Sequence, residues 1–280
     1  MPMMNTSILF SHLNMFNKFS SFEPNNQQES EHICLIDCTF TIPFDAPLVV
    51  PSTCREQLTT NICQMSVIVG YTQQLLFFFS LNSTLSLTVN GARFDTVSGQ
   101  VFGFQFMDNI LSCMVLHACS NGDKCEWNYL IGKIQSLIKS DYQPLYNSLS
   151  LKLYGEQSES TVSHCYSSNE LTECSGGKCF FVEGVNQETF ASVKNSSCLF
   201  DEMPMLHFGT NRYTPGPTKY DFDFLIFTCN LNECNSPTNE LTIKRLVGFN
   251  ESKSLGLIET GCLYLVIGLY FIISISIKLV

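Results

Sequence analysis

Basic residues are scarce in this chain: 15 Lys and Arg stand against 25 Asp and Glu, a formal net charge of −10. Charged residues make up 14% of the sequence, against a usual share of about 25%. No stretch forms the basic stripe that neutralises phosphates, which argues against a nucleic-acid partner. The same deficit argues against docking on an anionic membrane surface through charge. An acidic surface instead keeps a protein soluble and steers cationic partners.

Catalytic signatures are missing too. There is no Gly-x-Ser-x-Gly elbow, no His-Glu-x-x-His helix and no glycine-rich phosphate loop. The five histidines, His12, His32, His117, His164 and His207, fall in no recognisable motif. His117 lies between Cys113 and Cys119, where a thiol–imidazole pair is conceivable. Bridged flanking cysteines make a structural histidine the better reading. Asp221-Phe-Asp223 alternates as on a strand and reads as a solvated face. No catalytic residue, cofactor or metal ligand is assigned.

A clean secretory leader is also lacking. The apolar pieces of residues 1–16 are interrupted by His12 and Asn14, and the first basic residue, Lys18, follows them rather than precedes them. Residues 1–31 read as a poor leader and a disordered linker.

Cysteine is abundant by contrast, with fourteen in 280 residues. Secreted chains turn cysteines into staples, whereas cytosolic chains use them for metals or catalysis. The close spacings are Cys34-x3-Cys38, Cys113-x5-Cys119-x5-Cys125, Cys174-x4-Cys179 and Cys229-x4-Cys234. None is a zinc-knuckle spacing, so disulfides are preferred over metal. Asn82, Asn195 and Asn250 open sequons of the glycan-acceptor type, although a chain rich in Asn, Ser and Thr makes such triplets by chance.

One long uncharged run occurs, from Gly261 to Ile277, followed by Lys278-Leu-Val280. It reaches the lower edge of the roughly 17–25 residues that a spanning helix needs and shows no polar face. Residues 261–280 are therefore expected to anchor the chain in a membrane, with residues 238–260 as a stalk. Two anchors fit. A spanning helix has only Lys278 as its cytosolic charge. A lipid-anchor signal finds an attachment site near Ser252 and Ser254, a spacer over 253–260 and an apolar tail.

Between these ends the chain reads as mainly β, or α+β. No internal repeat is evident at a fixed period. Residues 64–70 alternate, 75–81 form a short apolar run, and 100–107 alternate again. Asn90-Gly91 supplies a primed turn between alternating flanks. Over 127–139 the period becomes helical, with Leu130, Ile131, Ile134, Leu137 and Ile138 on one stripe. The first expected module, 32–155, holds Cys34, Cys38, Cys54, Cys63, Cys113, Cys119 and Cys125. That number is odd and leaves one thiol over, with no pairing assigned.

The second expected module, 162–237, holds an even set: Cys165, Cys174, Cys179, Cys198, Cys229 and Cys234. It opens with His164-Cys-Tyr166 and closes with Cys-Asn-Leu-Asn-Glu-Cys-Asn235. These two motifs resemble the three-finger family of lymphocyte-antigen and urokinase-receptor domains. The resemblance covers about a quarter of the chain and implies the pairs Cys165–Cys179, Cys174–Cys198 and Cys229–Cys234. The chain departs from the family at Ser168, where its second cysteine would stand, and lacks two of its bridges as complete pairs. Thr214-Pro-Gly-Pro-Thr218 reads as an exposed fingertip. Arg212, Tyr213 and Tyr220 beside it are the candidate contact residues.

The sequence thus predicts two disulfide-rich extracellular modules and an anchor. Such a surface glycoprotein would act on an extracellular protein partner without catalysis. The alternative is a surface or secreted enzyme, or an enzyme inhibitor, using the first module.

Overall fold

In the computed structural model the described residues are 31–59, 62–80, 87–89, 92–155, 162–168, 170–200, 202–215 and 221–249. In chain order the elements are β1 (His32–Ile36), β2 (Thr39–Pro43), β3 (Arg55–Thr59), β4 (Cys63–Gly70), β5 (Leu75–Ser80), β6 (Thr88–Val89), β7 (Ala92–Arg93), β8 (Thr96–Gln105) and β9 (Ile110–Cys119). Then follow α1 (Cys125–Leu137), α2 (Gln143–Leu153), β10 (His164–Ser167), β11 (Glu170–Glu173), β12 (Lys178–Asn186), β13 (Ser192–Leu199), β14 (Met205–Thr214), β15 (Phe222–Cys229) and α3 (Pro237–Val247). The described residues are mainly β and carry six disulfides.

The apolar runs behave as their periods require. The strands expected from the stretches 64–70, 75–81 and 100–107 are found as β4, as β5 ending at Ser80, and as β8 ending at Gln105. The helical stripe appears as α1, which buries Trp127, Leu130, Ile134 and Leu137. The β6 and β7 strands pair as Thr88↔Arg93 and Val89↔Ala92, while Asn90-Gly91 between them lies outside the described residues.

Two features depart from the sequence reading. The stretches 32–155 and 162–237 do not build separate sheets. They share one antiparallel nine-stranded sheet of order β13-β12-β15-β14-β8-β9-β4-β5-β2. Its seam is β14 against β8, paired over ten residues from Met205↔Gln105 to Thr214↔Thr96. The seam buries Phe104 and Leu206 on the helix face and Val101 and Met205 on the other, so separating the strands would expose edge hydrogen bonds as well as side chains. The second departure is α3. Where a stalk was expected from residue 238, Pro237–Val247 is a helix with Ile243 fully buried in the main core. Lys244, also buried, bridges Glu183 of β12 at 2.5 Å and Glu240 at 2.6 Å. Residues 250–260 lie outside the described residues.

The sheet is a topological duplicate. In the second half β12–β13 and β14–β15 are hairpins, and β12 lies beside β15. In the first half β4–β5 and β8–β9 are hairpins, and β4 lies beside β9. Read outward from the seam, β14-β15-β12-β13 is matched by β8-β9-β4-β5. The cysteines repeat as well. Cys34 of β1 bonds Cys63 at the start of β4, as Cys165 of β10 bonds Cys179 in β12. Cys63 faces Cys119 across β4–β9, as Cys179 faces Cys229 across β12–β15. Finally Cys119–Cys125 leads into α1, and Cys229–Cys234 leads towards α3. This duplication is invisible as a fixed period because loops of different length separate the shared elements.

One sheet face carries the helices. Met65, Val67, Val115, Phe104, Leu206 and Phe227 form a single core with Trp127 and Leu130 of α1, Leu149 and Leu153 of α2 and Ile243 of α3. The opposite face holds a smaller cluster of Val101, Val182, Met205, Phe224 and Ile226.

Candidate binding site

The Cys119–Cys125 bridge pins the first turn of α1 against the end of β9. Beside it, where β8 begins and β14 ends, a cavity of about 450 Å³ opens. Asn121, Asp123 and Asn128 line it from the turn and the helix. Thr96 and Ser98 line it from β8, and Thr214 from β14. Thr96 and Thr214 are register partners across the seam, so both halves of the molecule contribute to one site.

His117 and Tyr129 line the same cavity and stack on each other, with ring centroids 3.8 Å apart and 11° between planes. His117 is 4% exposed and its Nδ1 has no hydrogen-bond partner. Burial pushes its pKa down to about 4, so the ring is neutral at physiological pH. Asp123 is fixed by accepting the Ile33 backbone N–H at 2.7 Å. Asn128 donates to the Asp123 carbonyl at 3.4 Å. Among the described residues no Lys or Arg lines the cavity.

Two of the contact residues expected from sequence, Arg212 and Tyr213, lie next to this site rather than in it. The Arg212 guanidinium donates to the Asp223 carboxylate and to the carbonyls of Asn211 and Phe222, each carbonyl at 2.9 Å. Tyr213 packs against Phe94 with centroids 4.8 Å apart, in a cluster with Leu87 and Ala118. Its backbone N–H is accepted by Asp221 at 2.7 Å. Tyr220 lies outside the described residues. The strand that carries Arg212 and Tyr213 nevertheless delivers Thr214 to the cavity wall. Asp221 and Asp223 do not form a solvated face, because both are held by β14, and burial raises the carboxyl pKa of Asp223.

Twelve cysteines are joined: Cys34–Cys63, Cys38–Cys54, Cys119–Cys125, Cys165–Cys179, Cys174–Cys198 and Cys229–Cys234. The thiol left over in the first half is Cys113, fully buried, with its pKa pushed up by desolvation. It sits four residues from His117 on the same strand face, roughly 13 Å away at about 3.3 Å per residue, so the two do not form a thiol–imidazole pair. Among the described residues three groupings of His, Cys and Glu come close enough to suggest a metal, one of them His32 with Cys34 and Cys63. Every cysteine in them belongs to a disulfide, which removes the thiolate ligands.

Of the sequon residues, Asn195 is exposed on the edge strand β13, while Asn82 and Asn250 lie outside the described residues. Among the described residues no helix is long and apolar enough to cross a membrane, and residues 261–280 fall outside them.

Thr96, Ser98, Asp123, Asn128 and Tyr129 escape sequence reasoning because they share neither motif nor period. The one signal that bears on them is the short Cys119-x5-Cys125 loop, which folds a helix start back onto a strand end. No protein-family model matches the chain, and no curated protein is similar to it in sequence.

Proposed function

We propose that this chain is a membrane-anchored extracellular glycoprotein that acts by binding a protein partner, in adhesion, receptor or co-receptor work. The observation that carries the reading is the disulfide set. Six bridges use twelve of the fourteen cysteines, and such a set persists in oxidising compartments. Residues 162–237 are read as a reduced three-finger module. Three hairpins, β10–β11, β12–β13 and β14–β15, and the pairs Cys165–Cys179, Cys174–Cys198 and Cys229–Cys234 support that likeness. The repeat of strand order and bridges extends it to the first half. Asn195 on an exposed edge is the favoured glycan carrier among the sequons, since sugar there also blocks edge-to-edge association.

Residues 261–280 are the anchor in this reading, and its form is decided at the cell surface. Phosphatidylinositol-specific phospholipase is expected to release the intact chain if the anchor is lipid, and to leave it bound if the segment spans. Truncation after Ser254 is expected to send the protein into the medium in either case. A truncated product still retained by membranes overturns the anchor.

A further inference from the structure

The cavity beside α1 has a lining that selects among ligand classes. An anionic ligand finds no Lys or Arg among the described residues of the lining and meets Asp123 instead. Lys124, the nearest base in sequence, is paired with Glu56. A metal ion finds one carboxylate, with one oxygen already accepting the Ile33 N–H, and a cysteine locked in a bridge. An apolar ligand finds no aliphatic side chain in the lining, although small-molecule pockets are usually lined by such groups. What the lining offers is hydroxyls from Thr96, Ser98 and Thr214, amides from Asn121 and Asn128, and the stacked rings of His117 and Tyr129. Amides and hydroxyls both donate and accept, which suits a ligand whose own hydroxyls do the same.

Tyr129, half-buried, stacks on the buried His117 with ring centroids 3.8 Å apart and so holds a fixed aromatic surface in the cavity wall.

We infer that this cavity binds a neutral carbohydrate, with Asn128, Ser98 and the His117–Tyr129 pair as its principal contacts. The inference rests on the binding function proposed above and names the chemistry that the partner presents, a sugar carried on its surface. Binding without cleavage fits the lining, since glycoside hydrolysis uses two carboxyl groups flanking the bond and Asp123 is the single carboxylate among the described residues there. Thr214 comes from the second half and the other contacts from the first, so the site exists only while the β8–β14 seam is intact.

The test uses cells displaying the intact chain, with surface amount read by an epitope tag. The probes are fluorescent polymers that each carry one monosaccharide: galactose, mannose, fucose or N-acetylglucosamine. At least one is expected to bind above cells lacking the chain, and a sialic-acid polymer is not. Asn128→Ala, on an exposed side chain, is expected to weaken that binding about tenfold, the equivalent of one good hydrogen bond. Tyr129→Ala is expected to abolish it at unchanged surface amount, and Tyr129→Phe to retain most of it. Absence of binding by all four neutral polymers overturns the inference, as does binding that Asn128→Ala and Tyr129→Ala leave unchanged. A parallel screen of the same cells against an array of extracellular domains separates the two readings. Capture on that array without sugar binding removes the carbohydrate and keeps the binding function, whereas failure of both removes both.

Discussion

Glu126 and Asn235 hold equivalent positions in the two halves. Each follows the closing cysteine of its half, and each accepts the backbone N–H of the residue after the opening cysteine. Glu126 takes it from Leu35 at 2.8 Å, and Asn235 from Tyr166 at 2.9 Å. Asn235 completes the arrangement by donating its amide to the carbonyls of Tyr166 and Phe180, at 2.8 and 3.0 Å. Glu126 is fully buried and its Oε2 has no partner. A carboxylate has no proton to donate, so Glu126 makes one such contact where Asn235 makes three.

This difference predicts a pH response. Burial raises the Glu126 pKa above its ordinary value, ahead of the lowering contributions from the Leu35 N–H, His32 and Lys124. A carboxyl with a raised folded pKa contributes stability below its unfolded value and loses it as pH rises through the folded one. Glu126→Gln supplies the missing amide protons and removes the titration. Its melting temperature is expected to exceed that of the wild type at pH 7, with the gap closing as pH falls towards 4. A gap independent of pH between 4 and 8 contradicts the assignment.

His207 acts in the opposite direction. It is fully buried on the sheet face opposite the helices, both ring nitrogens lack partners, and burial lowers its pKa to about 3. The unfolded chain binds a proton near the ordinary value of 6.5 while the folded one does not. Stability is therefore complete above that value and lost on acidification towards about 3. His207→Leu is expected to flatten this acid limb and to gain about 1–3 kcal/mol at pH 7 by removing an unpaired buried polar group. Chemical denaturation at pH 7 and pH 5 checks both; an acid limb as steep as the wild type's would clear His207 of it.

Gly209 lies opposite Val101 in the seam, and a Cβ there would stand 2.2 Å from the Gln100 carbonyl oxygen. Backbone cannot yield as a flexible side chain can. Gly209→Ala is expected to cost at least about 1–3 kcal/mol, as overpacking does. It is also expected to loosen the two halves relative to each other. Hydrogen exchange should then quicken across β8 and β14 ahead of β4 and β12. Uniform exchange through the sheet would speak against a seam-centred effect.

Much of the fold was legible in advance because it depends on period. The alternation at 64–70 and 100–107 and the stripe at 127–139 each encode one element locally. The sequence also carries signals for α3: Ser236-Pro237 at its start and Gly248, at φ 68°, at its end. The α2 helix was harder to see, since its buried Tyr146, Leu149 and Leu153 are spaced among Ser and Asn. The candidate site was the least legible part. Arg212 and Tyr213 belong to the right strand, but their side chains turn to Asp223 and Phe94, choices that depend on neighbours distant in sequence.

By itself the sequence determined a mainly β, disulfide-bonded chain with one early amphipathic helix, because cysteine content and hydrophobic period act over short range. Tertiary structure alone decided that the two halves repeat one topology and share one sheet. That outcome depends on the register of β8 against β14 and on Gly209 letting the backbones approach. It also decided that Thr96 and Thr214, more than a hundred residues apart, close a single cavity. Register and strand order arise from side-chain packing between distant segments, and no local pattern carries that information.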